Sequence, residues 1–169
     1  MVLTYEGALI EATYFSCSGG MTEDAVAVWG TDVPYLQSVP SPGEENASHY
    51  TDAVTYKMDA FFSKLGLAVP DTKTQWVTDI VYTKGGGVAS VTICGTAFTG
   101  TQLRKLLGLR STAFSIEISD DTITIKTRGY GHRVGMSQYG ADAMATTGSA
   151  YPEILSYYYQ GTELVRYTD

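Results

Sequence analysis

Read for its alternation of apolar and polar positions, the chain opens on strands. Val2 to Tyr5 and Leu9 to Phe15 flank a Glu6-Gly7 turn. In the second segment Ile10, Ala12 and Tyr14 alternate with Leu9, Glu11 and Thr13, the period of two that a strand requires. A short helix is predicted over Glu23 to Trp29, with Thr22 as its N-cap, Glu23 and Asp24 in the dipole-favoured first turn, and Gly30 at its end. Thr31 to Ala47 contains four Pro or Gly and reads as loop, with a brief extended piece at Tyr35 to Val39. Thr51 to Lys57 reads as a strand, and Met58 to Leu65 as a helix closed by Gly66. Thr74 to Thr83 and Val88 to Cys94 are strands around a KGGG turn, and Gly100 to Leu107 is helical. Ala113 to Ser119 and Thr122 to Lys126 form another hairpin through Asp120-Asp121. Met136 to Ala145 and Tyr151 to Tyr159 read as helices, and Glu163 to Tyr167 as a last strand.

The fold class predicted is α+β, with strands in the majority, antiparallel hairpins, short helices, and two helices near the C-terminus. Neither a βαβ alternation nor an internal repeat occurs. With 169 residues and 44% hydrophobic content, the chain is expected to form one domain around a real core. Residues of about 51–110 are the candidate for a smaller subdomain within it.

Charge narrows the function. The net charge is −7, and no Lys or Arg precedes Lys57 while eight acids do. With no basic stripe to displace phosphate counterions, nucleic acid is not an expected partner. Cys17 and Cys94 fit neither a disulfide framework nor a zinc spacing, so both are expected as buried free thiols, with no metal and no cofactor. No apolar run approaches a membrane span. The chain begins directly on a strand, as a domain cut from a longer secreted or anchored protein would.

Two glycine-rich loops stand out as candidate chemistry, each directly before a helix. In GYGHRVGMSQYG (129–140), Gly131 and Gly135 permit positive φ and close approach of another group. Ser137 and Gln138 fall in a first helical turn, whose free N–H groups can hold an anion or a sugar oxygen. His132 has three readings: a loop residue held by backbone bonds, a substrate contact, or a proton-transfer group. In SCSGG (16–20), Ser16, Cys17 and Ser18 lack a local base that would make any of them a nucleophile, so the loop is read as a turn whose hydroxyls bond backbone or ligand. Glu11, Glu23 and Glu117 are candidate carboxylates for glycan chemistry, each with a simpler surface or helix-start explanation.

GYGHRVGMSQYGADAMATTGSAYPEILSYYYQGTELVRY closely resembles the C-terminal signature of the stage II sporulation protein D family, which includes amidase-enhancer proteins. ATYFSCSGGMTEDAVAVWGTDVPYLQSVPSPGEE resembles that family's SGG-T-E loop, Trp-Gly and Pro-Tyr-Leu, and LRKLLGLRSTAF its middle part. Arg133 departs from the pattern, standing where the family usually has Gly. The resemblance implies a peptidoglycan lytic transglycosylase of sporulation and engulfment, which cleaves the MurNAc-GlcNAc linkage with one carboxyl and leaves a 1,6-anhydro sugar. The family's catalytic Glu lies in an upstream segment that nothing in this chain matches, so no catalytic residue is expected here.

What this chain is expected to supply is the opposite wall of a glycan cleft: Ser16, Ser18, Gly19, His132, Ser137, Gln138 and Tyr139, with Tyr130 as a second stacking face or a core residue. Peptidoglycan glycan strands, and other engulfment or cell-wall hydrolase proteins, are the implied partners. The place of action is the cell-wall side of the cytoplasmic membrane. A non-catalytic glycan-binding or amidase-enhancer module is the alternative, and a purely structural domain the third reading.

Overall fold

The computed structural model describes residues 1–71 and 76–167. Strand residues (33%) outnumber helical ones (23%), in an α+β arrangement of antiparallel hairpins with five short helices among the described residues. Two hydrophobic cores organise it.

The first core is built from the middle of the chain. Strand β4 (Thr51–Lys57) lies antiparallel to β9 (Thr122–Arg128), which pairs on its other edge with β8 (Phe114–Ile118). In β9 alternate residues Ile123, Ile125 and Thr127 are buried, as period two demands. Helix α2 (Met58–Leu65) covers this sheet with Phe61, Phe62 and Leu65, and its αL C-cap is Gly66, where the sequence places it. A second sheet, β5 (Val77–Tyr82), β6 (Val88–Ile93) and β7 (Thr96–Thr99), buries Val88, Val91 and Ile93 against the same core. Strand β7 follows a Cys94-Gly95 turn, both residues at positive φ, and was absent from the expected elements. Its end, Thr99, caps helix α3 (Gly100–Leu106) through a capping box with Gln102. The expected strand start at Thr74 lies outside the described residues.

The second core joins the two ends of the chain. Strand β1 (Val2–Tyr5) pairs with β2 (Ala8–Leu9) across the Glu6-Gly7 turn, and with β11 (Glu163–Val165) on its other side. The expected single strand from Leu9 to Phe15 is broken. After β2 the chain leaves the hairpin, and β3 (Tyr14–Phe15) runs parallel to β10 (Met136–Ser137). Period two is silent about such a change of partner. Helix α1 (Ala25–Trp29) ends at Gly30 as predicted but starts later, with Asp24 as N-cap. Thr22 is fully buried and exchanges hydrogen bonds with Val39, so it caps nothing. Helices α4 (Gln138–Thr146) and α5 (Tyr151–Tyr158) bring Ile154, Tyr158 and Tyr159 onto Ala25, Leu36, Val39 and Val134.

One expectation about the thiols is also corrected. Cys17 is buried, whereas Cys94 is exposed because its turn position places it beyond the last strand residue.

Candidate functional site

The two glycine-rich loops are woven together. Tyr130 N–H donates to Cys17 O at 2.7 Å, and Cys17 N–H donates back to Tyr130 O at 3.2 Å. A Cβ on Gly129 would stand 2.6 Å from Ser18 O, so only glycine lets the two backbones meet this closely. Gly135 has φ +84°, and a Cβ there would run into the Thr13 carbonyl. These glycines first serve contact between backbones.

The SCSGG loop holds an anion, and the anion is internal. Glu44 Oε2 accepts hydrogen bonds from Ser18 N–H (2.8 Å), Ser18 Oγ (2.8 Å), Gly19 N–H (3.1 Å) and Cys17 Sγ (3.2 Å). Its Oε1 accepts from Ser41 Oγ at 2.6 Å. Burial would raise the Glu44 pKa, but donors from Ser137, Ser41, Cys17 and Ser18 outweigh it and hold the carboxyl below its ordinary value. Burial, with the neighbouring carboxylate adding to it, pushes the Cys17 thiol up to about 12, so it is inert. Ser137 is buried and caps α4 by accepting from Gly140 N–H. Ser18, Gly19 and Ser137 therefore shape the site from behind.

Arg133 explains itself in the structure. Its side chain is 2% exposed and spans the two cores. Nε donates to Ser18 O (2.7 Å), Nη2 to Met21 O (2.8 Å) and Gly85 O (2.7 Å), and Nη1 pairs with Glu23 Oε1 at 3.2 Å. Glu23 Oε1 also receives Thr83 Oγ1 and Gly87 N–H. Glu23 is thus no helix-start anion on the surface; it is a buried carboxylate that docks the β5–β6 turn onto the second core. Gly85 and Gly87 follow from this docking, since a Cβ on Gly85 would lie 2.6 Å from Glu23 Oε2 and one on Gly87 would run into Glu23 Oε1. Arg133 meanwhile adopts φ +67°, the conformation glycine takes most easily.

His132 is half-buried. Its Nδ1 accepts from Val134 N–H at 3.1 Å, and its ring packs against Phe15 and Trp29. Burial lowers its pKa, a backbone hydrogen bond at Tyr14 opposes this, and the nearby Arg104 charge lowers it further, so the ring is neutral at pH 7.

The accessible members of the expected set converge elsewhere. Ser16, Gln138 and Tyr139 line an open pocket of about 350 Å³ together with His49 and Asp142. His49 had no sequence signal, because no glycine run or second motif surrounds it. Arg110 Nη1 lies 3.1 Å from His49 Nδ1. An arginine only donates, so Nδ1 accepts and the neutral ring carries its proton on Nε2. Arg110 in turn pairs with Asp52 at 3.1 Å and lies over the Tyr130 ring at 5.7 Å. His49 meets Tyr130 edge-on at 5.2 Å and Tyr139 at 6.4 Å. The result is an open wall of aromatic faces with hydroxyl, amide, imidazole and carboxylate groups at its rim. A larger concavity of about 840 Å³, between the β5–β6 turn and the β4–β9–β8 sheet, contains none of the seven expected residues.

Glu11 is exposed, and Glu117 is exposed in a surface pair with Lys126. Among the described residues no three His, Cys, Asp or Glu side chains gather closely enough to hold a metal ion, and no helix is long and apolar enough to cross a membrane.

No protein-family model matches the chain. Individual relatives do. Stage II sporulation protein D of Bacillus subtilis (strain 168) is 43% identical over 164 residues, covering 96% of this chain and 47% of the relative. That of Bacillus amyloliquefaciens is 44% identical over 165 residues, with the same coverage. The amidase enhancer of Bacillus subtilis is 28% identical over 221 residues, covering 98% of this chain and 31% of the relative. The chain spans about half the length of the two sporulation proteins it matches. On these alignments the chain belongs to the stage II sporulation protein D and amidase-enhancer family.

Proposed function

We propose that this chain supplies one wall of a peptidoglycan-binding cleft in a sporulation protein acting on the cell-wall side of the membrane. The reading rests on one observation above the others: Ser16, His49, Gln138, Tyr139 and Asp142 line an open pocket with aromatic rings, hydrogen-bonding side chains and one carboxylate. Such a lining suits a neutral polymer of hydroxyl and acetamido groups. Sporulation enters through the names of the relatives. Lytic cleavage of the MurNAc-GlcNAc linkage is the reaction proposed for the whole protein, with its carboxyl acid supplied from outside residues 1–169. Residues of about 51–110 are proposed as a subdomain, and Phe114, Ile123 and Ile125 of the following β8 and β9 complete its core.

The carboxylates support a binding role for the chain alone. Glu23 and Glu44 are buried and hydrogen-bonded, and Glu11 and Glu117 lie on the surface. Asp142 is the acid that lines the open pocket. The match to an amidase enhancer favours a second reading, in which the same wall holds glycan for a partner hydrolase without chemistry of its own. Incubation with purified sacculi tests the proposal. The chain should co-sediment with them and release no soluble anhydro-muropeptides. Failure to sediment overturns the glycan reading, and release of anhydro-muropeptides overturns the assignment of the acid to another segment. Stimulation of an added amidase would select the second reading.

A further inference from the structure

The concavity of about 840 Å³ between the β5–β6 turn and the β4–β9–β8 sheet shares no residue with the pocket at Tyr139. Its size falls in the range of about 300–1,000 Å³ that holds small organic ligands. Strand pairing sets Ala53 and Ser115 on either side of Lys126, and Thr51 opposite Arg128, and all five line the concavity. Lys126 and Arg128 stand two apart on β9, so both project from one face of the sheet. Tyr82 of β5, 56% exposed, adds an aromatic ring to the lining.

The charges select the ligand. Three ionised side chains line the concavity, and two are already paired: Asp52 with Arg110 at 3.1 Å, and Lys126 with Glu117 at 2.7 Å. The third is Arg128, which is exposed and whose guanidinium has no hydrogen-bond or ion-pair partner among the described residues. The interior does not balance it. Burial lowers the Arg133 pKa, Glu23 opposes this, and the charge of Arg128 lowers it again, so the two guanidinium groups stand close enough to repel. One uncompensated positive charge selects an anion and rejects a cation. A bare inorganic anion would leave most of the volume empty, and the apolar Ala53, Ala113 and Phe114 unused. The hydroxyls of Thr51, Ser115 and Tyr82 make no hydrogen bond among the described residues, and each can donate or accept. A short peptide ending in a free carboxylate supplies what these groups lack: a bidentate anion for Arg128, amide groups for the hydroxyls, and small side chains for the apolar lining.

We propose that the concavity at Arg128 binds the free α-carboxylate end of a short peptide, as a site separate from the open pocket at Tyr139. The proposal does not rest on the glycan reading. Two sources carry such an end: peptide stems of a wall polymer, which finish in D-alanine, and the L-configured C-terminus of a protein. Their configuration tells them apart.

The test is a titration of the chain with N-acetyl-D-alanyl-D-alanine and with its all-L counterpart, each also as the C-terminal amide, followed residue by residue through backbone amide NMR shifts. At least one of the two acids should shift Ser115, Lys126 and Arg128, and the tighter one names the source; the amides should shift none of them. Arg128→Gln should weaken binding about tenfold or more in apparent Kd. Arg128→Lys should weaken it less, since lysine keeps the charge and loses the fork. Ala53→Trp, which fills the concavity from an exposed strand position, should weaken it as well, and Tyr139→Ala should leave it in place. Four results would each overturn the proposal: no shift from either acid, equal binding of acid and amide, unchanged affinity in both Arg128→Gln and Ala53→Trp, or displacement by inorganic phosphate at the dipeptide's own concentration. None of them bears on sacculus binding, on which the glycan reading stands or falls.

Discussion

Arg133→Gly restores the residue that the family pattern favours, yet it should destabilise this chain. The substitution removes four hydrogen bonds, to Ser18 O, Met21 O, Gly85 O and Glu23 Oε1, and leaves a 1%-exposed carboxylate without its cation. Breaking a buried pair by deleting one partner costs about 3–5 kcal/mol. Relief of the positive φ at position 133 offsets about 1 kcal/mol of this. The net loss is therefore about 2–4 kcal/mol, a fall in Tm of roughly 10 °C for a chain of this size. Urea unfolding followed by the fluorescence of the buried Trp76 reads the difference. Glu23→Gln should also destabilise the chain, and the double variant should lose less than the two single losses added, because neutralising both partners leaves no unpaired charge. An Arg133→Gly protein within about 0.5 kcal/mol of the parent, the range of ordinary surface changes, would refute the role given to the pair.

Three further outcomes follow from the same contacts. Gly85→Ala should destabilise the fold more than Gly86→Ala, since the first Cβ meets Glu23 whereas the second meets nothing within 4 Å and carries only a φ of +76°; thermal melts of both variants decide this. Glu44 has a depressed folded-state pKa, so its contribution is complete above its ordinary value of 4.5 and is lost as pH falls through the folded value; Glu44→Gln should flatten the acid limb of the stability curve. A thiol reagent should modify exposed Cys94 in the folded protein and spare Cys17, whose thiol is pushed up to about 12, while denatured protein should react at both, as mass spectrometry would show.

Local chemistry made much of the fold legible. Helix α2 shows in the sequence because an apolar face is closed by Gly66, and the β8–β9 hairpin because alternation flanks Asp120-Asp121. Pairings between distant segments left no such mark. The parallel contact of Tyr14–Phe15 with Met136–Ser137 interrupts a run whose alternation never falters. Thr22 and Glu23 look like a cap and a first-turn acid until Val39 and Arg133 arrive from elsewhere in the chain.

The site was legible in the same partial way. Glycine content marked the two loops as unusual, but not that the Ser18 and Gly19 N–H groups would close on Glu44. Ser16, Gln138 and Tyr139 do meet in one pocket, whereas His49 and Arg110 reach it only through the fold. Arg133, the one departure in the histidine loop, was a tertiary residue written into a local motif.

The central claim is that the pocket of Ser16, His49, Gln138, Tyr139 and Asp142 holds peptidoglycan glycan. Calorimetric titration of the chain with a soluble, peptide-free glycan fragment tests it most directly, comparing the parent with Tyr139→Ala and His49→Ala. The account predicts saturable binding that each substitution weakens about tenfold, or about 1.4 kcal/mol, with melting temperatures unchanged. Equal affinity in all three proteins would contradict it.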